Sequence, residues 1–212
     1  MNKLVIGDLD IYWITDRLMH ENCYVLTKDS SNQAIVIDPG FQTTELLEHI
    51  RERKMEVVAL AATHGHCDHI ASAGVIQEIF PAAPLYIHQA DRDLLERANL
   101  YSVILKAPAV KIPVNIVNFS DHAPKEFSPF QLRVHNVPGH TPGSVLFAVE
   151  GAVFSGDIFL QSQNERMPGF SAEHLRQTHA YVKQSFKLSD FVFPGHGRPI
   201  RLEETLARLA HD

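Results

Sequence analysis

Thr63-His64-Gly65-His66-Cys67-Asp68-His69 places three imidazoles and a carboxylate within six consecutive residues. These side chains bind zinc-like divalent ions. One ion takes about four donors, and catalytic sites usually leave one position to water. The backbone fans four donors this close apart, so they do not easily all reach one ion. The segment therefore predicts two adjacent ions, each completed from elsewhere in the chain. It runs straight on from Val57–Ala62, which reads as a buried strand. Layered α/β folds place sites at such strand ends, because the sheet is rigid and the loop beyond it is accessible.

Working outward, β-branched and aromatic runs predict strands at Asp10–Thr15, Cys23–Lys28 and Ala34–Asp38, the last stopped by Asp38-Pro39-Gly40. Thr43–Lys54 reads as a helix with Leu46, Leu47 and Ile50 on one face. Beyond the histidines, Ile70–Phe80 reads as a helix, Leu85–His88 as a strand and Asp91–Leu100 as a helix. Pro108, Pro113, Pro124 and Pro129 break up Tyr101–Pro129, so irregular chain with short strands is expected there, with a flap at Tyr101–Pro113. Strands resume at Leu132–Val137, Val145–Val149 and Ala152–Ser155. A helix at Ala172–Phe186, capped by Ser171, precedes a strand at Phe191–Phe193 and a last helix at Leu202–Leu209. Strands and helices are mixed in both halves, which is an α/β (α+β) pattern.

The 212 residues suit one domain spanning 1–212, and a hydrophobic fraction of 45% with 21% charged residues is an ordinary globular balance. A net charge of −6 argues against general nucleic-acid binding, which needs a basic face. Two cysteines, Cys23 and Cys67, are too few for a disulfide framework, and a reducing cytoplasm is the simpler expectation. Met1–Thr15 lacks the basic start and apolar run of a signal peptide, and no apolar run approaches the ~20 residues of a membrane span. The expected partner is a small molecule, with no nucleic acid and no membrane.

Four later features match the first cluster: His140 in Pro138-Gly139-His140-Thr141-Pro142-Gly143-Ser144, Asp157 in Ser155-Gly156-Asp157, His196 in Pro194-Gly195-His196-Gly197, and Asp38 before Pro39-Gly40. Each lies at or just after a predicted strand, beside glycine or proline. Glycine permits close backbone approach and proline stiffens a turn, and a metal site uses both. In this order, with Asn22-Cys23-Tyr24 ahead of them, the motifs resemble the metallo-β-lactamase-fold hydrolases, in particular the small branch near hydroxyacylglutathione hydrolases (glyoxalase II). The resemblance covers roughly residues 10 to 200.

That resemblance implies a four-layer αββα sandwich, two sheets face to face with helices outside. It implies two metals at one edge of the sandwich. His64, His66 and His140 would hold the first, Asp68, His69 and His196 the second, and Asp157 would bridge them. Asp38 would orient a ligand histidine, a service such ligands generally need. His/Asp donors accept zinc, iron or manganese, with zinc expected here. Cys67 is expected to be a packed spacer. His20, His49, His88, His122, His135, His174, His179 and His211 are expected to have ordinary surface or hydrogen-bonding roles.

Two close metals lower the pKa of a shared water to roughly 7. The hydroxide would attack an ester-like carbonyl, and Asp68 would orient it and shuttle its proton. The glyoxalase branch points to a thioester. The chain differs from the larger relatives in its short stretch after His196. It differs from small thioesterase relatives in reading Asn164-Glu165-Arg166-Met167-Pro168-Gly169-Phe170 where they carry Gly-Arg-Ser/Thr-Asp and Pro-Gly-Gly. Arg166 is a candidate contact for a substrate carboxylate, or else a surface salt-bridge residue, and Leu160–Phe170 a candidate pocket wall. Two alternatives stay open. A mononuclear iron persulfide dioxygenase would use His64, His140 and Asp157 alone. A lactonase would share both metals, although Phe159 and Leu160 stand where those enzymes carry a tyrosine. β-Lactamase activity is not expected, because those secreted enzymes need an export signal.

Overall fold

The computed structural model describes residues 1–28, 31–120, 126–127, 130–165 and 167–209. Arg166, His122 and His211 lie outside the described residues. Thirteen strands form two sheets. The first holds β1 (Asn2–Ile6), β2 (Leu9–Thr15), β3 (Asn22–Lys28), β4 (Gln33–Ile37), β5 (Glu56–Ala61), β6 (Leu85–His88) and β7 (Ile116–Phe119), in chain order across the sheet. The second holds β8 (Glu126–Phe127), β9 (Leu132–Asn136), β10 (Val145–Val149), β11 (Ala152–Gly156), β12 (Phe191–Pro194) and β13 (Ile200–Arg201), in spatial order β13-β12-β11-β10-β9-β8. Pairing is antiparallel from β1 to β4, parallel from β4 to β7, and parallel again between β11 and β12.

The helices are α1 (Thr43–Glu52), α2 (Cys67–Ile70), α3 (Ala73–Ile79), α4 (Arg92–Glu96), α5 (Ala98–Ile104), α6 (Ala172–Ser185) and α7 (Leu202–Leu209). Three apolar layers separate four structural ones. The middle layer lies between the sheets and includes Tyr24, Leu26, Ile35, Ile37, Phe147, Phe154 and Phe193. One outer layer joins the first sheet to the helices α1–α5 through Val25, Val36, Leu46, Ile50, Ile70, Ile76 and Ala98. The other joins the second sheet to α6 and α7 through Leu146, Val153, Val192, Leu175, Val182 and Leu202. This is the expected αββα sandwich.

Side chains alternate across a strand, so each central strand feeds two layers at once. In β4, Ala34 and Val36 enter the helix-side layer while Ile35 and Ile37 enter the middle one. In β10, Leu146 and Ala148 face α6 and α7 while Val145, Phe147 and Val149 face the first sheet. Burial on both faces is why these strands read as unbroken apolar runs. Each buried Val, Leu, Ile or Phe stabilises the fold by about 1.5–3 kcal/mol, which lets one edge of the sandwich carry a cluster of buried polar groups.

Two predicted helices are split. The turn at Cys67–Ile70 is separate from α3, because the Ser72 amide donates to Pro39 O (2.7 Å) and its hydroxyl donates to Gly40 O. Asp91–Leu100 is also interrupted, at Arg97 (φ −98°, ψ 10°), and α5 runs on to Ile104 into the stretch expected to be irregular. Tyr101 there packs against the helix-side layer rather than standing free as part of a flap. The short strands expected in that irregular stretch are β7 and β8, while β1 and β13 lie outside every predicted strand. Ser171 caps α6, accepting from the His174 amide at 3.3 Å. No helix among the described residues is long and apolar enough to cross a membrane.

Candidate metal centre

The C-terminal ends of β4, β5, β9, β11 and β12 lead into five loops at one edge of the sandwich. They carry Asp38, His64 with His66, His140, Asp157 and His196 respectively, and α2 adds Asp68 and His69. All these residues are buried except His196, whose side chain is 22% exposed. The sheets are stitched together beside it. Asn22 Nδ2 donates to Pro194 O (3.0 Å) and Gly197 O (2.7 Å), and Tyr24 Oη donates to Pro194 O (2.5 Å). Asn22-Cys23-Tyr24 thus holds the His196 loop from the opposite sheet.

The donor atoms gather in two trios, His64/His66/His140 and Asp68/His69/His196. His66 Nδ1 is 3.0 Å from His64 Nε2 and 3.1 Å from His140 Nε2. In the second trio Asp68 Oδ2 lies 3.5 Å from His196 Nε2 and 3.9 Å from His69 Nε2. Asp157 stands between them. Its Oδ2 is 3.5 Å from both His140 Nε2 and His196 Nε2, and its Oδ1 is 3.5 Å from His69 Nε2. Tetrahedral donors 2.0–2.1 Å from zinc lie about 3.3–3.4 Å apart, and these separations bracket that figure.

The donor set fits divalent cations better than it fits itself. A ring nitrogen has one proton or one lone pair, so His66 Nδ1 cannot fully serve both neighbours. His66 Nε2, His69 Nε2 and Asp157 Oδ1 are buried without a hydrogen bond. Orphaned buried polar atoms are costly, and a cation between the trios would satisfy His69 Nε2 and Asp157 Oδ1 together. Charge is already sorted. Burial, reinforced by the imidazoles of His69 and His66, pushes His64 well below its usual range. Burial and His140 bring His66 to about 4. Both are therefore neutral and ready to donate lone pairs. Burial opposes charge on His69 too, but Asp157, Asp38 and Asp68 override it and hold that imidazole well above its usual range. Cation binding must displace this proton, so affinity falls with falling pH.

Each trio has supports behind it. Asp38 Oδ1 accepts from the Thr63 amide (2.7 Å) and Oδ2 from Thr63 Oγ1 (2.8 Å), and Thr63 Oγ1 lies 3.1 Å from His64 Nδ1. Asp38 Oδ2 is also 3.1 Å from His69 Nδ1, in ion-pair range though off the line of a hydrogen bond. Asp38 therefore steadies one histidine of each group, directly for His69 and through Thr63 for His64. Gln163 Oε1 lies 2.7 Å from His140 Nδ1, and its Nε2 donates to Asp157 O at 2.8 Å. Asp91 joins the two loops of the first trio: Oδ2 accepts from the Gly65 amide (2.9 Å) and Thr141 Oγ1 (2.7 Å), and Oδ1 from the Gly143 amide (2.7 Å). Gly195 is needed for room, since a Cβ there would meet Asp157 Oδ1 at 2.1 Å.

Thr63, Gln163 and Asp91 were not singled out from sequence. Thr63 sat inside the quoted heptapeptide, whereas Gln163 carries no signal. Asp91 reads in sequence as the first residue of a helix; it stands at the N-cap position of α4, and its carboxylate makes no capping bond. Cys67 is buried in the helix-side layer, a packed spacer as expected. Among the other histidines, His135 Nδ1 is 2.7 Å from Tyr181 Oη and His179 Nε2 is 2.5 Å from Ile158 O, both ordinary hydrogen-bonding roles. Removing the amide in Gln163→Ala is expected to weaken cation binding by about 10–100-fold, as loss of a ligand histidine's partner typically does. Competition with a fluorescent chelator measures it, and unchanged affinity would show that Gln163 has no such role.

This arrangement of fold and donors defines a class, and sequence comparison agrees with it. A model of the metallo-beta-lactamase superfamily matches residues 16–196, and the chain belongs to that superfamily. It is 32% identical over 143 residues to the probable metallo-hydrolase YqgX of Bacillus subtilis, covering 66% of each chain. It is 25% identical over 178 residues to BaeB of Bacillus velezensis, a probable polyketide biosynthesis zinc-dependent hydrolase, covering 82% of this chain and 72% of that one. Among solved structures, TTHA1623 in a di-iron-bound form superimposes with a TM-score of 0.81 at 26% identity, over 93% of this chain and 98% of that one.

Proposed function

We propose that the chain is a dinuclear metal-dependent hydrolase that attacks an ester-like carbonyl, with a thioester as the best-fitting substrate, in the manner of glyoxalase II. The observation that carries this reading is the convergence of seven donors in two trios with Asp157 between them. His64, His66 and His140 would hold one ion and Asp68, His69 and His196 the other, with Asp157 shared between them. When bound, two divalent ions supply an ionised water and Lewis acidity toward the carbonyl oxygen. Zinc suits the donors, as do iron and manganese; the zinc-dependent and di-iron relatives support that range.

The protein's own groups then do the following. Asp68 and Asp157 contribute two negative charges, fewer than two divalent ions carry. The centre stays cationic and favours a substrate whose carbonyl oxygen becomes an oxyanion on attack. Burial opposes ionisation of Asp68, but His69 and His196 prevail and keep its carboxyl below the usual range. Asp68 is therefore ionised at neutral pH and able to take the nucleophile's proton and pass it to the leaving sulfur. Water adds to the carbonyl carbon, the C–S bond breaks, and a carboxylic acid and a thiol leave. A single iron on His64, His140 and Asp157 would leave Asp68, His69 and His196 converging on nothing, which favours the dinuclear reading.

Protein purified without added metal is expected to contain two metals per chain and to turn over a thioester, with activity lost on chelation and regained on metal return. One iron per chain with persulfide-dependent oxygen uptake and no thioesterase activity would overturn the proposal.

A further inference from the structure

His196 has a second neighbourhood. Besides completing the second trio, it lines a cavity of about 180 Å³ between the loop after Asp157 and α7. Phe159, Leu160 and Ile200 give this cavity apolar walls, and Arg198 and Arg208 bring it two guanidinium groups. Among the described residues, no acidic one lines it. Both arginines are exposed, and neither makes an ion pair or hydrogen bond with a described residue. In a chain of net charge −6, two cations with no partner among the described residues, around a cavity those residues line with no acid, run against the overall trend. Surface arginines usually find a carboxylate partner or simply face water. Here Arg208 reaches the cavity from α7, and Arg198 lies two residues beyond a proposed metal ligand. Arginine is the side chain suited to planar, bidentate recognition of a carboxylate.

We infer that this cavity is a subsite for a carboxylate carried by the substrate, held by Arg198 and Arg208 while the scissile carbonyl lies at the metal centre beside His196. The inference rests on the thioester reading above and narrows it to thioesters with an acidic group on one arm. It does not use Arg166, because α7 itself supplies one of the two cations. The apolar walls take the carbon chain between carbonyl and acid.

The test separates binding from turnover. On metal-loaded protein, calorimetry measures the affinity of S-(3-carboxypropyl)-N-acetylcysteamine, a thioether that cannot be hydrolysed, against its neutral S-butyl counterpart. The acid is expected to bind more tightly to the native chain. The double variant R198Q/R208Q is expected to weaken its binding about 10–100-fold, the range for charge-assisted hydrogen bonds, and R198K/R208K to restore part of the loss. Equal binding of acid and neutral probes, or an unchanged acid affinity in R198Q/R208Q, would overturn the subsite. The latter is also the outcome if the carboxylate merely coordinates the metals. In parallel, the ratio of kcat/KM for S-succinyl over S-butyryl N-acetylcysteamine is expected to fall by a similar factor in R198Q/R208Q. If neither thioester is hydrolysed but the acid thioether binds through the arginines, the thioesterase reading fails and the carboxylate subsite stands.

Discussion

Asp157→Ala is expected to reduce metal content from two per chain to one or none and to lower thioester hydrolysis on the order of 10³-fold. Asp157 faces both trios, reaching His140 and His196 with Oδ2 and His69 with Oδ1. Its carboxylate is held below the usual range, because the nearby imidazoles, His69 foremost, outweigh the cost of burial. It is therefore a fixed negative charge between the two trios, placed to offset the repulsion of the two cations proposed for them. Without it each trio keeps three donors but loses the shared one, a loss that the easier deprotonation of His69 offsets only in part. Lewis-acid stabilisation is worth several kcal/mol, and about 1.4 kcal/mol is tenfold in rate, which sets the scale of the loss. Asp157→Asn keeps the shape but not the charge and is expected to retain one metal more readily than two. Elemental analysis of the purified variants, read beside their thioester turnover, decides the matter. A D157A protein with two metals and native activity would remove Asp157 from the bridge.

The parts of this fold that were legible share one property: their signals are local. Strands β4, β5, β10 and β11 were found because burial on both faces turns each into a run of Val, Ile, Leu, Ala and Phe. The candidate donors are legible because metal ligands draw on few residue types, these sit beside glycine and proline at strand ends, and their order resembles a known family; the fold brings them together. Thr63, Gln163 and Asp91 serve the same centre by hydrogen bonds across 25 to 52 positions of chain in the case of the two aspartate hubs, Asp38 and Asp91. Such partners have no period and no fixed neighbour. The splitting of the predicted helices has the same origin. Ser72 leaves the helix to bond with the Asp38-Pro39-Gly40 loop, a contact invisible in its own stretch of chain. The cavity beside His196 was missed for a related reason. Arg198 and Arg208 lie in unremarkable surroundings until the fold places them around one space.

Asp91→Ala should then destabilise the fold strongly, although Asp91 belongs to neither trio. Its carboxylate accepts from the Gly65 amide, the Gly143 amide and Thr141 Oγ1, all without exposure of its own. Truncation leaves the Gly65 and Gly143 amides in a buried space with no acceptor, while Thr141 Oγ1 keeps Ser144 Oγ at 2.8 Å; each orphaned amide costs about 1–3 kcal/mol. Partial relaxation lowers the sum, so about 3–5 kcal/mol is expected, a large share of the 5–15 kcal/mol that holds a typical domain. The consequence for function follows from which loops are joined. Gly65 lies between His64 and His66, and Thr141 follows His140, so the first trio depends on Asp91 to keep its two loops in register. Urea unfolding in the presence of chelator isolates the loss of stability, and the rate at which loaded protein gives up metal to chelator reports the loss of register. Asp91→Asn keeps one acceptor oxygen and should fall between the native chain and D91A on both scales. If D91A unfolds early yet releases metal no faster than the native chain, Asp91 is a stabiliser of the loops alone. If it does neither, the carboxylate is not the tie between them.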